Sequence, residues 1–117
     1  MRKLSITHWL SVLVILMSVT IAGAQTLDGT LRGEVSDPSG AVVAGAKVTA
    51  TNTGTNVSME TTTTTSGTFN IPNVLPGIYS VTVETSGFDK YTRDQVQVRT
   101  NQITEVNPRL SVQGTTA

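Results

Sequence analysis

From Gly29 onward, apolar and polar residues alternate with a period of two, in short runs that each stop at a glycine or a proline. Leu31, Gly33 and Val35 share one face of the first run, and Arg32, Glu34 and Ser36 take the other. Tyr79, Val81 and Val83 alternate with Ile78, Ser80, Thr82 and Glu84, and Val96 and Val98 alternate with Gln95, Gln97 and Arg99. Val106, Leu110 and Val112 fall on one face of the last segment. A period of two sends successive side chains to opposite faces of an extended strand, so each run has a dry face and a wet one. Strands of that kind build antiparallel sheets stacked as a sandwich. No stretch beyond Gln25 carries a helical period.

The breaks between runs have readable turn chemistry. Asp37-Pro38-Ser39-Gly40 places Asp first, Pro second and Gly fourth, as a type I turn prefers, and the Asp carboxylate is positioned to accept from the backbone two residues on. Pro76-Gly77 suits a type II turn, and Ser66-Gly67 and Ser86-Gly87 fit two further reversals. Gly45 precedes a strand expected from Ala46 to Thr53. Thr61 to Thr65 is β-branched throughout, which favours a solvent-facing edge strand running on from Val57 and Met59 over an O-glycosylated stalk. Pro108 cannot donate to a ladder, so the final strand is expected at an edge or a bulge. The expected core is Leu31, Val35, Val48, Ala50, Val57, Met59, Phe69, Ile71, Tyr79, Val81, Val83, Val96, Val98, Val106 and Leu110.

The first residues point to export. Arg2 and Lys3 form a positive start, Trp9 to Ile21 is an uncharged and mostly apolar run, and Ala22-Gly23-Ala24 supplies the small residues of a cleavage site. An apolar run over residues 9–21 is shorter than the roughly 20 residues needed to span a bilayer core, so a cleaved signal helix over residues 1–24 is expected rather than an anchor. Gln25 is then the mature N-terminus, and no cysteine is present to accept a lipid.

Removing 24 of the 117 residues leaves 93, enough for one domain. The mature chain has no His, no Cys and no Trp, and it carries six basic and eight acidic side chains, net −2. It has no basic stripe to neutralise phosphates, so nucleic acid is not an expected partner. Disulfides are unavailable even in an oxidising compartment, so packing alone must hold the fold.

The order of the pieces carries a resemblance. Gly29-Thr30-Leu31-Arg32-Gly33-Glu34-Val35-Ser36-Asp37-Pro38-Ser39-Gly40 is followed by Val43-Ala44-Gly45-Ala46-Lys47-Val48-Thr49-Ala50. Then come Ser66-Gly67-Thr68-Phe69-Asn70-Ile71 and Leu75-Pro76-Gly77-Ile78-Tyr79-Ser80-Val81-Thr82-Val83. This series resembles the carboxypeptidase regulatory-like domain, a transthyretin-like or Ig-like module of exported proteins. The resemblance implies an all-β, small antiparallel sandwich of about seven strands over residues 25–112, behind a signal peptide helix, with residues 113–117 a linker or truncated tail. A signal followed at once by this module is similar to the N-terminal extension of bacterial TonB-dependent outer-membrane receptors. That similarity implies a periplasmic setting, or the periplasmic face of the outer membrane, with secretion as the alternative. The implied partner is a receptor plug and barrel in the same full-length chain, or a cell-envelope protein. The peptidase domain beside which the module is named is absent from this sequence.

No catalytic constellation is expected, nor a cofactor, a metal or a membrane span in the mature chain. A Ser or Thr nucleophile needs a base, usually His, and the mature chain has none. Asp28 with Glu34, and Asp89 with Asp94, are the acid pairs to consider for acid–base work, and on exposed loops they are expected to be solvated charges. Related Cna protein B-type domains join a first-strand Lys to a last-strand Asn or Asp. Here Arg32 stands on the first strand, while Lys47 falls on the second with Asn107 on the last, so no such crosslink is expected. Carbohydrate binding is the alternative function. Of the four mature aromatics, Phe69 and Tyr79 fall in core register, leaving Phe88 and Tyr91, with Arg93 beside them, as the candidate sugar platform. The competing expectation is that Phe88 closes one end of the sandwich and leaves Tyr91 alone.

Overall fold

The computed structural model describes residues 27–114; the expected signal over residues 1–24 and the mature start at Gln25 lie outside the described residues. Seven strands follow one another: β1 (Gly29–Glu34), β2 (Lys47–Asn52), β3 (Ser58–Thr62), β4 (Thr68–Val74), β5 (Gly77–Glu84), β6 (Tyr91–Val98) and β7 (Ile103–Glu105). They form a three-stranded sheet in the order β4-β1-β7 and a four-stranded sheet in the order β3-β2-β5-β6. The described residues are therefore an all-β sandwich. No helix among them is long and apolar enough to cross a membrane.

Four of the five strand pairings are antiparallel, and β1 with β7 is parallel. Hairpins force antiparallel neighbours, but β1 and β7 are the first and last strands and no hairpin joins them. Their relative direction is set by the route of the whole chain.

The core lies between the sheets and is built from the dry faces. Leu31, Val35, Val48, Ala50, Val81 and Val83 are fully buried, and Phe69, Tyr79, Val96, Val98, Val106 and Leu110 nearly so. Val48 and Ala50 of β2 stand opposite Val83 and Val81 of β5, so one methyl-rich surface runs across the four-stranded sheet. In the other sheet Gly33 stands opposite Phe69. A Cβ on Gly33 would lie 3.0 Å from the Phe69 ring and 1.6 Å from the Val106 carbonyl oxygen, so the glycine makes room for both. Tyr79 is buried along its ring, and its hydroxyl donates to the Leu75 carbonyl at 2.7 Å.

Several sequence expectations need correction. Val57 and Met59, expected in the core, are respectively exposed (62%) and half-buried. β3 is an edge strand, so its inward-facing residues have cover on one side only. Val112, expected with Val106 and Leu110, is 45% exposed because it lies past the last strand, at an isolated bridge with Phe88. The strand expected from Ala46 to Thr53 spans Lys47–Asn52.

The Thr-rich run divides in two. Thr61 and Thr62 close the edge strand β3, whereas Thr63 turns inward and is buried. Its hydroxyl donates to the Val43 carbonyl at 2.7 Å and accepts from the Ala46 amide at 2.9 Å. Pro76-Gly77 is not a type II turn. Gly77 has a φ of 159°, close to extended, and already belongs to β5. Since β4 and β5 belong to different sheets, the chain crosses between sheets here instead of reversing within one. The Asp37 turn does form: the Gly40 amide donates to the Asp37 carbonyl at 3.0 Å. β7 is an edge strand that ends before Pro108, and the Pro108 carbonyl accepts from the Ser36 amide at 3.0 Å.

Candidate functional site

The residues proposed for a sugar platform lie at one end of the sandwich. Phe88 is half-buried, packs against the core and forms an isolated antiparallel bridge with Val112. Backbone hydrogen bonds from Asp89 to Ser111 (2.8 Å) and from Gln113 to Gly87 (3.0 Å) hold this closure. Tyr91 opens β6 opposite Val83, and Arg93 follows opposite Val81. Directly paired residues point to the same face, so Tyr91 and Arg93 share the inward face of the sheet at its β6 margin. Tyr91 packs half-buried against the core, while Arg93 is exposed on this edge strand. Phe88 and Tyr91 are thus both partly buried and both packed against the core.

Beyond Arg93 the strand is distorted. Val81 pairs with Arg93 but Tyr79 pairs with Val96, so Asp94 and Gln95 together oppose Ser80 in a β-bulge. Gln95 takes a φ of 59°, and the Ser80 hydroxyl donates to Asp94 Oδ1 at 2.7 Å. This bond occupies Asp94 on the outer side of the bulge.

A site that sequence reasoning did not reach lies on the opposite flank. A hollow of about 450 Å³ is lined by Arg32, Asn70, Glu105 and Asn107 together with Thr61, Thr62, Thr64 and Thr68, with Gly33 and Phe69 also in its wall. Asn70, Arg32 and Glu105 form one row across β4, β1 and β7. Arg32 Nε lies 3.3 Å from Glu105 Oε1, and Asn107 Oδ1 accepts from the Glu34 amide at 3.1 Å. The Thr64 and Thr68 hydroxyls share a hydrogen bond at 2.8 Å. Arg32 and Glu105 are 73 positions apart, and only the parallel β1–β7 pairing brings them together. The sole sequence signal was that each sat on the wet face of its run.

Further along the same flank is a second hollow, of about 350 Å³, lined by Val57, Met59, Leu75, Pro76 and Tyr79 with Asn52, Thr55 and Asn73. Both hollows follow the seam between the edge strands β3 and β4. One end of the seam is hydroxyl- and amide-rich, and the other is apolar.

The acid pair Asp28 and Glu34 does not come together. Asp28 and Glu34 flank opposite ends of β1, about 20 Å apart at the rise of an extended strand. Among the described residues no group of three or more His, Cys, Asp or Glu is placed to hold a metal ion. Lys47 Nζ lies 3.1 Å from Glu60 Oε1 on the four-stranded sheet, while the Asn107 side chain is bonded to the end of β1 in the other sheet. That separation leaves no route to the crosslink of Cna B-type domains. The ion pairs Arg32–Glu105, Lys47–Glu60 and Lys90–Glu84 are all at least half-exposed, so each contributes little to stability. The Asp37 carboxyl sits below its ordinary 3.8, chiefly because the Ser39 hydroxyl donates to it; desolvation opposes this, and backbone amides of Ser39 and Ala41 add to the lowering.

Comparison with solved structures gives the fold a setting. The TIE protein of Bacillus anthracis superposes with a TM-score of 0.63 at 22% identity, over 73% of this chain and 16% of that one. A candidate carbohydrate-binding protein of Bacteroides uniformis gives 0.59 at 18% identity, over 71% and 41%. Hydroxyquinol 1,2-dioxygenase of Pseudomonas putida gives 0.59 at 10% identity, over 80% and 59%. This chain therefore spans less than two thirds of each of these structures. Likeness at such identity shows a shared sandwich and nothing about chemistry. Curated protein sequences contain no match. The family comparison is more specific, because the carboxypeptidase regulatory-like domain matches residues 30–111, from the start of β1 past the end of β7. On that span, which is well over half of the chain, this protein belongs to the carboxypeptidase regulatory-like domain family.

Proposed function

We propose that this domain is an exported, non-enzymatic accessory or interaction module, carried as the N-terminal periplasmic extension of a TonB-dependent receptor. One observation carries the reading. The family match begins at residue 30, directly behind a charged, apolar and small-residue sequence of the kind that directs export. The described side chains support the non-enzymatic part. They include no His and no Cys, and the one carboxylate lining either hollow, Glu105, is paired with Arg32 at the surface. Reading the native gene beyond the Ala117 codon tests the receptor assignment. The expected frame continues into a plug and a series of alternating barrel strands; a stop codon at that point refutes the receptor and leaves a free-standing envelope module.

A second reading, a carbohydrate-binding module, is favoured by one specific feature. Phe88 and Tyr91 each leave part of a ring exposed near Arg93, and sugars stack on such rings. The likeness to the Bacteroides uniformis protein is consistent with it. Titration with soluble oligosaccharides, followed by tyrosine fluorescence, separates the two readings. Saturable binding abolished by Tyr91→Ala in a folded protein establishes the glycan reading, and a flat titration removes it.

A further inference from the structure

We infer that the open edge of β3 is a docking site for an extended segment of another protein, which adds to the four-stranded sheet as a fifth strand. The inference rests on reading the domain as an interaction module and names the surface it uses.

A sheet edge presents unpaired N–H and C=O groups, and folded proteins defend such edges with bulges, prolines, short strands or covering groups. Three edges of this sandwich are defended. β4 carries Pro72, with Asn73 at a φ of 57° and a register shift against β1. β6 carries the Gln95 bulge, and its Gln97 carbonyl accepts from the Thr104 hydroxyl at 3.2 Å. β7 is three residues long. β3 has none of these devices, and its pairing with β2 runs without a break from Ser58 to Thr62.

The free groups on this edge can be named. Asn52 donates to Val57 at one end of the β2–β3 ladder, and Thr63 donates to Ala46 at the other. Bonded and non-bonded pairs alternate in an antiparallel ladder, so Met59 and Thr61 turn their backbone toward β2. Ser58, Glu60 and Thr62 turn theirs outward, spaced to receive an extended strand.

The surroundings define the occupant. A strand laid beside β3 directs every second side chain into the β3–β4 seam, over the apolar hollow at Val57, Met59 and Leu75 and the hydroxyl-lined hollow at Thr61 and Thr64. An apolar residue suits the position opposite Met59, and a small hydroxyl residue suits the one opposite Thr61. On the outer face the charge nearest the edge is Glu60, ion-paired with Lys47 of β2 at 3.1 Å and still more than half exposed, so a basic residue belongs opposite it as a second partner and an acidic one is disfavoured. Antiparallel pairing of two copies centred on Glu60 would set one Glu60 against the other. The occupant is therefore a foreign strand with a central Lys or Arg.

Amide shifts and hydrogen exchange of the labelled exported protein test this, using the blocked hexapeptide Thr-Thr-Lys-Leu-Thr-Val as probe. The expected result is that the Ser58, Glu60 and Thr62 amides shift and slow in exchange, saturably. Replacing the peptide's Lys by Glu weakens binding roughly two- to fivefold. Thr62→Pro removes an outward N–H without breaking a bond to β2, so it abolishes binding in a protein that stays folded. Should that variant fail to fold, the shift map of the parent and the Lys-to-Glu contrast decide. Shifts confined to the Phe88 end overturn the β3 assignment while sparing the interaction-module reading. Oligosaccharide binding with no peptide binding overturns both. Dimerisation through β3 overturns the foreign strand.

Discussion

Gly33→Ala adds one methyl group, and the structure and simple strand propensity predict opposite signs for it. Alanine in place of an ordinary strand glycine stabilises by about 0.5–1 kcal/mol, because glycine loses more backbone freedom on folding. At Gly33, however, the new Cβ lands 1.6 Å from the Val106 carbonyl oxygen, a backbone atom that no side-chain rotation can move. The chain after β7 must move away by more than an ångström to restore ordinary contact. That movement breaks the hydrogen bond from Val106 to Arg32 (2.9 Å) and the bond from Glu34 to the Asn107 side chain (3.1 Å). Each is worth about 0.5–1.5 kcal/mol. It also uncovers part of Val106, now 1% exposed, at about 1–2 kcal/mol. Less the propensity gain, the net loss is about 1–4.5 kcal/mol, a large fraction of the stability of a small domain. Urea unfolding followed by far-UV circular dichroism measures it. A midpoint equal to or above that of the parent refutes the β1–β7 packing described here.

Other substitutions probe separate parts of the account. Phe69→Ala removes a ring that is 3% exposed and should cost about 3–5 kcal/mol in the same assay; a parent-like melt means the β1–β4 register is wrong. Gln95→Gly should stabilise by about 0.5–1 kcal/mol, since a non-glycine residue is strained at a φ of 59°, and a destabilised variant argues against the bulge. Asp37 has a folded pKa below its ordinary 3.8, so its contribution is present above that value and is lost as pH falls through the lower folded value. A carboxyl NMR titration should show the depressed midpoint, and Ser39→Ala should raise it. An unchanged midpoint removes the Ser39 hydroxyl as the main cause.

The sandwich was legible in the sequence because its strands alternate cleanly. Leu31, Val48, Val81, Val83 and Val98 occupy dry-face positions, and all are buried. Alternation says which face is dry but not whether a strand is central or at an edge. Val57 and Met59 looked like core residues and became the rim of an open seam for that reason. Proline-glycine pairs signal a change of direction without saying whether the chain stays in its sheet, so Pro76-Gly77 read as a turn and is a crossing. The Phe88 end was found because glycine and aromatic residues mark it locally. The Arg32–Asn70–Glu105 row was not, because it is assembled by a pairing between the first and last strands that no local pattern encodes.

The account depends on this chain being an exported module that works by contact. Mass spectrometry of the protein recovered from fractionated cells carrying its native gene addresses that claim most directly. The account predicts an N-terminus at Gln25, free or cyclised, in the envelope fraction. A chain that still begins at Met1 and resides in the cytosol contradicts it.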